Sequence, residues 1–254
     1  MNGSISSSPK PARIPLALNN DVLDELPIGG ITSFTTIDFP GKLAAVLYTQ
    51  GCPWRCRYCH NTHLWPLRNS DNQITWEKVR SFLEERKDLL DGVVFCGGEP
   101  TMHAGLGAAM TAVREMGFEI ALHTNGMYPE RLHEVLPLCD WVGMDIKTTF
   151  DQYPSITQIE DSGAKPRESA RLIIDSGVDY EFRTTVHPDL LSEAAIAKIG
   201  KELSHMGARH YALQIFKSQG CPDKKLTQRT VSPSGISKSL RDTLSSYFAS
   251  FRVR

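Results

Sequence analysis

The sequence predicts an α/β protein built on a parallel sheet. Two observations carry that expectation. Six short apolar runs, each of strand length, recur along the chain, and helical patterns separate them. Strands joined through helices need right-handed crossovers, which make neighbouring strands parallel. At 254 residues and 41% apolar content the chain can bury a sizeable core.

The elements follow in order. Ala44–Thr49 (AAVLYT) reads as the first buried strand, and Val93–Cys96, Glu119–His123, Trp141–Ile146, Tyr180–His187 and His210–Phe216 as the next five. Thr75 is placed to cap a helix that presents Val79, Phe82 and Leu83 on one face and stops at Gly92. His103–Met116 is Ala- and Met-rich and stops at Gly117. Pro129 and Pro166 sit where a first helical residue would be. Ser192 opens a helix with Ile196, Ile199, Leu203 and Met206 at helical spacing, ended by Gly207. Ser245–Arg254 reads as a last strand or a docking tail. Six such units are too few for a complete eight-stranded barrel. They can close partly, with a lateral opening, or stay as an open doubly wound sheet. Either way, chemistry belongs at the C-terminal ends of the strands.

Residues 1–28 read as a poorly ordered leader, Ser/Pro-rich at Ser4–Pro11, and residues 29–254 as one domain. The charges nearly cancel, 28 − 29 = −1, which argues against a nucleic-acid binder. No apolar run approaches the roughly 18–20 residues of a membrane span, and the N-terminus lacks the apolar core of a secretory signal. Three of six cysteines crowd into eight positions, a pattern of metal ligation in a reducing compartment rather than of disulfides. The expected location is the cytoplasm.

The strongest signal is Cys52-Pro-Trp-Arg-Cys56-Arg-Tyr-Cys59-His60, directly after Ala44–Thr49. Three thiolates on one short loop can hold a [4Fe–4S] cube and leave one iron without a protein ligand. That iron can take a small molecule, by the logic of an open catalytic metal site. The rival is zinc on Cys52, Cys56, Cys59 and His60, although zinc usually draws on pairs at two separated places. Cys96 and Cys139 read as small buried residues. Cys221, in a polar loop, falls at no second-cluster spacing, so the expectation is a single cluster.

The C-x3-C-x2-C spacing, with Tyr58 before the last cysteine, resembles the radical S-adenosylmethionine (SAM) superfamily. The segment Thr36–Asn61, TIDFPGKLAAVLYTQGCPWRCRYCHN, resembles the glycyl-radical-enzyme activases within it, above all those of anaerobic ribonucleoside-triphosphate reductase. The resemblance covers about residues 29–220 and includes Gly97-Gly98-Glu99-Pro100. It implies a partial (β/α)6 barrel of the TIM type. It also implies a [4Fe–4S] cluster and SAM as cofactors, with Cys52, Cys56 and Cys59 as ligands. Reductive cleavage of SAM would then yield a 5′-deoxyadenosyl radical that abstracts hydrogen, the cofactor supplying the hard chemistry.

The resemblance also distributes roles over the strand ends. Gly97, Gly98 and Glu99 would meet the amino group of SAM, and Lys147 of Asp145-Ile-Lys147 its carboxylate. Tyr58 and His60 would flank the adenine, with Trp54 shielding the cluster. Asn125 and Gly126 would shape a turn near the cofactor. His123 replaces the Asp with which pyruvate formate-lyase activases help bind a monovalent cation, so no such site is assigned. Arg183, Thr185 and His187 alternate onto one strand face, suited to SAM or a peptide backbone, while Gln214 and Lys217 would approach the ribose. The expected partners are a glycyl-radical enzyme, here anaerobic ribonucleotide reductase, and an electron donor such as flavodoxin or ferredoxin. Nucleic acid and membrane are not expected partners. Two other readings stay open: a radical SAM enzyme of small molecules, such as a 7-carboxy-7-deazaguanine synthase, and a non-catalytic zinc module.

Overall fold

The computed structural model describes residues 23, 25–67 and 73–254. Eight strands form one sheet in sequence order: β1 (Ile28–Thr35), β2 (Ala44–Thr49), β3 (Gly92–Gly97), β4 (Glu119–Thr124), β5 (Trp141–Asp145), β6 (Asp179–Val186), β7 (His210–Ile215) and β8 (Ser250–Val253). Every neighbouring pair from β2 to β8 is parallel; only β1, beside β2, is antiparallel. Among the described residues β1 and β8 do not pair, so the sheet stays open between them. This is the partial barrel, and its inner six strands are the six apolar runs.

Strand parity sorts the side chains. Odd positions such as Val93, Phe95 and Leu47 join the large core under the helices. Ala44, Val46, Val94 and Ala121 point the other way and pack with Phe39 and Trp141 into a small apolar plug. Further along the strands the same inner face carries Cys96 and His123, two residues beyond Val94 and Ala121, and Asp145, four beyond Trp141. The plug therefore floors a polar interior.

The outer layer comprises α1 (Trp76–Glu84), α2 (Leu106–Glu115), α3 (Pro129–Val135), α4 (Ala164–Ser176), α5 (Glu193–His205) and α6 (Lys238–Tyr247). Thr75 and Ser192 cap as expected, accepting from Lys78 N and Ala195 N. Other boundaries differ. α1 ends at Glu84 well before Gly92, which instead opens β3. α2 begins at Leu106 rather than His103. Pro166 is the third residue of α4, whereas Pro129 is the first of α3.

Both sheet edges go beyond the expected six strands. Gly29-Gly30 masks β1, because glycine weakens a strand signal. A Cβ at Gly29 would meet the Gln50 side chain at 2.5 Å, so tight packing accounts for the glycine. Leu23, Leu26 and Ile28 are buried in the main core, so the last residues assigned to the leader belong to the fold. The expectation for residues 1–22 lies outside the described residues. Of the two readings of Ser245–Arg254, the strand is found, behind an unforeseen α6.

Candidate active site

A cavity of about 530 Å³ opens at the C-terminal ends of the parallel strands. Cys52, Cys56 and Cys59 all line it. So do Tyr58 and His60 from the same loop, Gly97 and Gly98 after β3, and Asn125 after β4. Lys147, Thr185 and Lys217 complete the wall from β5, β6 and β7. Of the residues expected from the sequence at the cofactor, Glu99, Gly126 and His187 are outside it.

The cysteine loop is pinned at several points. Cys52 N–H donates to Trp65 O at 3.2 Å, and Cys59 N–H to Cys56 O at 3.0 Å. Arg55 N–H and Arg57 N–H donate to Thr157 O and Ile156 O. The Arg55 guanidinium also donates to Cys52 O, at 2.5 Å. Burial pushes the Cys52 thiol up to about 12 and the Cys56 thiol up to about 11. These sulfurs hold their protons at neutral pH until a metal displaces them. Asn125 Nδ2 lies 3.9 Å from Cys52 Sγ, a donor aimed at that sulfur.

Two observations test what this pocket suits. Among the described residues no group of three His, Cys, Asp or Glu is close enough to hold a single metal ion. Tetrahedral zinc on Cys52, Cys56, Cys59 and His60 needs such convergence; corners of a four-iron cube are farther apart. Secondly, His60 Nε2 is buried and finds no hydrogen-bond partner among the described residues, although the residue lines the cavity. A native structure rarely leaves such an atom unpaired without a ligand to meet it. The donor set and this orphaned nitrogen fit a three-cysteine cluster with a polar small molecule beside it.

The Glu99 carboxylate, expected at the SAM amino group, is turned away from the cavity. A Cβ on Gly98 would clash with the Gly51 carbonyl, and Gly97 adopts φ +119° against Thr49. The glycines thus let the β3 turn press onto the cysteine loop, with Gly98 N–H donating to Thr49 O and Glu99 N–H to Gly51 O, both at 2.9 Å. Glu99 is fully buried. Its Oε1 accepts from Thr101 N–H, Thr101 Oγ1 and Thr124 Oγ1, and its Oε2 from Asn125 N–H at 2.7 Å. It ties the β3 turn to the β4 turn and presents no face to the cavity.

A charged network occupies the centre. Asp145 Oδ2 accepts from Lys147 Nζ at 2.9 Å, and Oδ1 accepts from Arg183 at 3.2 Å. Burial opposes ionisation of Asp145, yet Lys147 and Arg183 hold its carboxyl well below the usual range. Burial likewise works against the Lys147 cation, and Asp145 more than offsets it. Lys147 Nζ also sits 5.5 Å over the Tyr58 ring. Asp145, itself half-buried, thus pairs with two buried cations, Lys147 and Arg183.

His123 lies beside this network. Its Nε2 is 2.7 Å from Asp38 O, and its ring meets Trp141 edge-on. Burial and then Arg183 push it down to about 3. The unfolded chain binds this proton near pH 6.5 and the folded chain does not, so His123 costs stability as pH falls from about 6.5 toward 3. Urea unfolding of His123→Gln is expected to show a smaller loss of stability over that window than the wild type. Equal slopes would mean that His123 titrates normally.

The alternation of β6 holds for two of three residues. Arg183 and Thr185 face the cavity, whereas His187, just past the strand, contacts Leu226 O and Phe216. Gln214 lines the cavity as well. Cys96 does too, from inside the barrel, while Cys139 is buried under the helices. Cys221 Sγ reaches Arg57 O at 3.5 Å from the loop after β7. Sequence reasoning missed Arg254 and Trp65, which also line the cavity. Arg254 is carried there by β8, whose existence was left open.

Cysteine loop, strand-end glycines and buried cation at the mouth of an open parallel barrel define a class. Residues 46–198 match the radical SAM superfamily, and the chain belongs to it. Its cofactors are accordingly a [4Fe–4S] cluster and SAM. Within that superfamily it is homologous to glycyl-radical enzyme activating enzymes. A protein of Methanocaldococcus jannaschii named for that activity is 31% identical over 206 residues, 78% of this chain and 83% of its own. The pyruvate formate-lyase-activating enzyme of Streptococcus mutans is 27% identical over 190 residues, 68% of this chain and 70% of its own. SuiB of Streptococcus suis, solved with S-adenosylmethionine, shares the fold at a TM-score of 0.57 and 15% identity. That alignment covers 82% of this chain and 49% of SuiB.

Proposed function

We propose that this enzyme installs a glycyl radical on a partner, an anaerobic ribonucleoside-triphosphate reductase. The observation that carries the reading is the homology to activating enzymes across most of the chain. Two features support it. The Thr36–Asn61 segment points to the reductase activases, and a polar wall of Arg183, Thr185 and Gln214 on β6 and β7 suits a peptide backbone.

In this reading Cys52, Cys56 and Cys59 hold the cluster. The backbone of Gly97 and Gly98 faces the SAM amino group and Lys147 its carboxylate. Tyr58 and His60 take the adenine, with Asn125 at the turn beside it; Thr185 and Lys217 serve the ribose end. Cluster and SAM together supply a hydrogen-abstracting radical. The chain's own residues bind, orient and exclude water. Lys147 stays cationic because Asp145 faces it, and Arg183 keeps Asp145 ionised. Flavodoxin or ferredoxin would provide the electron, in the cytoplasm. No helix among the described residues is long and apolar enough to cross a membrane.

Lys147→Ala is expected to weaken SAM binding at least about tenfold while leaving iron content unchanged, since it removes one charge-assisted contact of roughly 1.5–3 kcal/mol. Equilibrium dialysis with labelled SAM checks it, and unchanged affinity would remove Lys147 from the site. The function itself is tested by electron paramagnetic resonance on an anaerobic mixture of cluster-loaded protein, dithionite, SAM and the reductase. A SAM-dependent glycyl doublet supports the reading. Formation of 5′-deoxyadenosine without a doublet would point to a small-molecule substrate instead.

A further inference from the structure

The second half of the cysteine loop is held from far along the chain. Beyond β7 the backbone turns back over the loop. Phe216 N–H still donates to Val186 O at 3.1 Å, so the segment leaves from the strand end. Gly220 then adopts φ +78° against the His60 carbonyl, where any Cβ would clash. Cys221 Sγ donates to Arg57 O at 3.5 Å. The Arg57 side chain adds a second tie, its Nε and Nη2 both donating to Asp223 Oδ2, at 3.1 and 3.0 Å. Arg57 and Asp223 stand 166 residues apart in sequence.

Asp223 uses both of its oxygens. Oδ1 accepts from Lys225 N–H at 3.0 Å and Leu226 N–H at 3.4 Å, capping the helical turn Lys224–Thr227. That turn sets Leu226 into a small apolar cluster with Tyr58, Ile156 and Phe216, apart from the main core. All four are buried. Phe216 also meets the His60 ring edge-on, with centroids 5.7 Å apart. Tyr58 and His60, both on the cavity wall, therefore pack against a segment that Asp223 fastens to their own loop.

We propose that Asp223 is a positioning residue for SAM: through Arg57 it fixes the stretch Arg57–His60, and so sets Tyr58 and His60 for the adenine. The inference rests on the reading that these two side chains flank the adenine. Asp223 does not line the cavity, so it acts through the loop rather than by contact. The pairing suits that task. A guanidinium fork that holds one oxygen through two N–H groups has a set orientation, and the helical turn holds the other oxygen. Both side chains are partly exposed, so the pair adds little to global stability. Its effect falls on where the loop rests.

The test uses cluster-loaded full-length protein. Asp223→Ser keeps a side chain able to cap the helical turn but is too short to reach Arg57. It is expected to raise the KM for SAM in 5′-deoxyadenosine formation about two- to fivefold, the reach of one partly exposed ion pair, with kcat and iron content unchanged. Arg57→Gln should do the same. The double variant should be no worse than either single, because partners acting through one contact do not add. Amide exchange over Arg57–His60, followed by mass spectrometry without SAM, should quicken in Asp223→Ser. Wild-type KM with wild-type exchange, or additive effects in the double variant, would overturn the proposal. Wild-type KM with faster exchange would show that Asp223 fastens the loop while Tyr58 and His60 do not serve SAM, and the adenine reading would fall instead.

Discussion

Cys56→Ala is expected to abolish SAM cleavage and strip most of the iron from the protein. Cys56 is one of three thiols on a loop of eight residues, and all three open onto one cavity. Among the described residues, Cys139 lies under the helices, Cys221 sits against Arg57 O, and Cys96 lines the cavity from inside the barrel, so its variant is the decisive control. Cys52→Ala and Cys59→Ala should behave alike, since a cube held at two corners is poorly retained. The matched controls are Cys96→Ser, Cys139→Ser and Cys221→Ser, each expected to keep about four irons per chain, as a single cube requires. Iron and sulfide analysis with the visible spectrum decides the matter. Full activity in any loop variant would refute the cluster assignment, and iron loss in a control would reveal another ligand.

Glu99→Ala is expected to destabilise the fold rather than merely to weaken SAM binding. The carboxylate is fully buried and collects donors from Thr101, Thr124 and Asn125. Burial raises its pKa, which those donors oppose. Alanine would strand several buried donors at roughly 1–3 kcal/mol each, a loss of at least about 3 kcal/mol. For a chain of this size that lowers Tm by about 6–12 °C. Glu99→Gln retains one acceptor oxygen and should fall between. Calorimetric scans of the metal-free proteins separate this from cofactor effects. An unchanged Tm with weakened SAM binding would return Glu99 to the role of an ammonium partner.

The contrast between Cys52–Cys59 and Glu99 shows where sequence reading succeeds. Ligand spacing is local, so eight residues are enough to reveal the chemistry of the cysteine loop. Gly97-Gly98-Glu99 was equally visible, but its meaning depends on what faces it across space. Gly51 and Thr49 on one side and Thr124 and Asn125 on the other turn the motif into a joint between two strand ends. Arg183 illustrates the same limit. Strand parity placed it on the inner face, yet nothing in Glu181-Phe-Arg183 announces that Asp145 is its partner. The ring contact between Trp54 and Tyr153 is less legible still, because about a hundred residues separate them in sequence.

Legible in the residues alone were the six central strands, the parallel sheet, the cysteine loop and the strand ends that line the cavity. These follow from periodicity and short-range spacing, which act within a few residues. Long-range packing settles the rest: the sheet open between β1 and β8, Glu99 buried among Thr101, Thr124 and Asn125, and Asp145 paired with both Lys147 and Arg183. Those outcomes depend on which side chains burial forces together. A buried charge or donor must find its partner wherever the fold delivers one, because water is not there to serve instead.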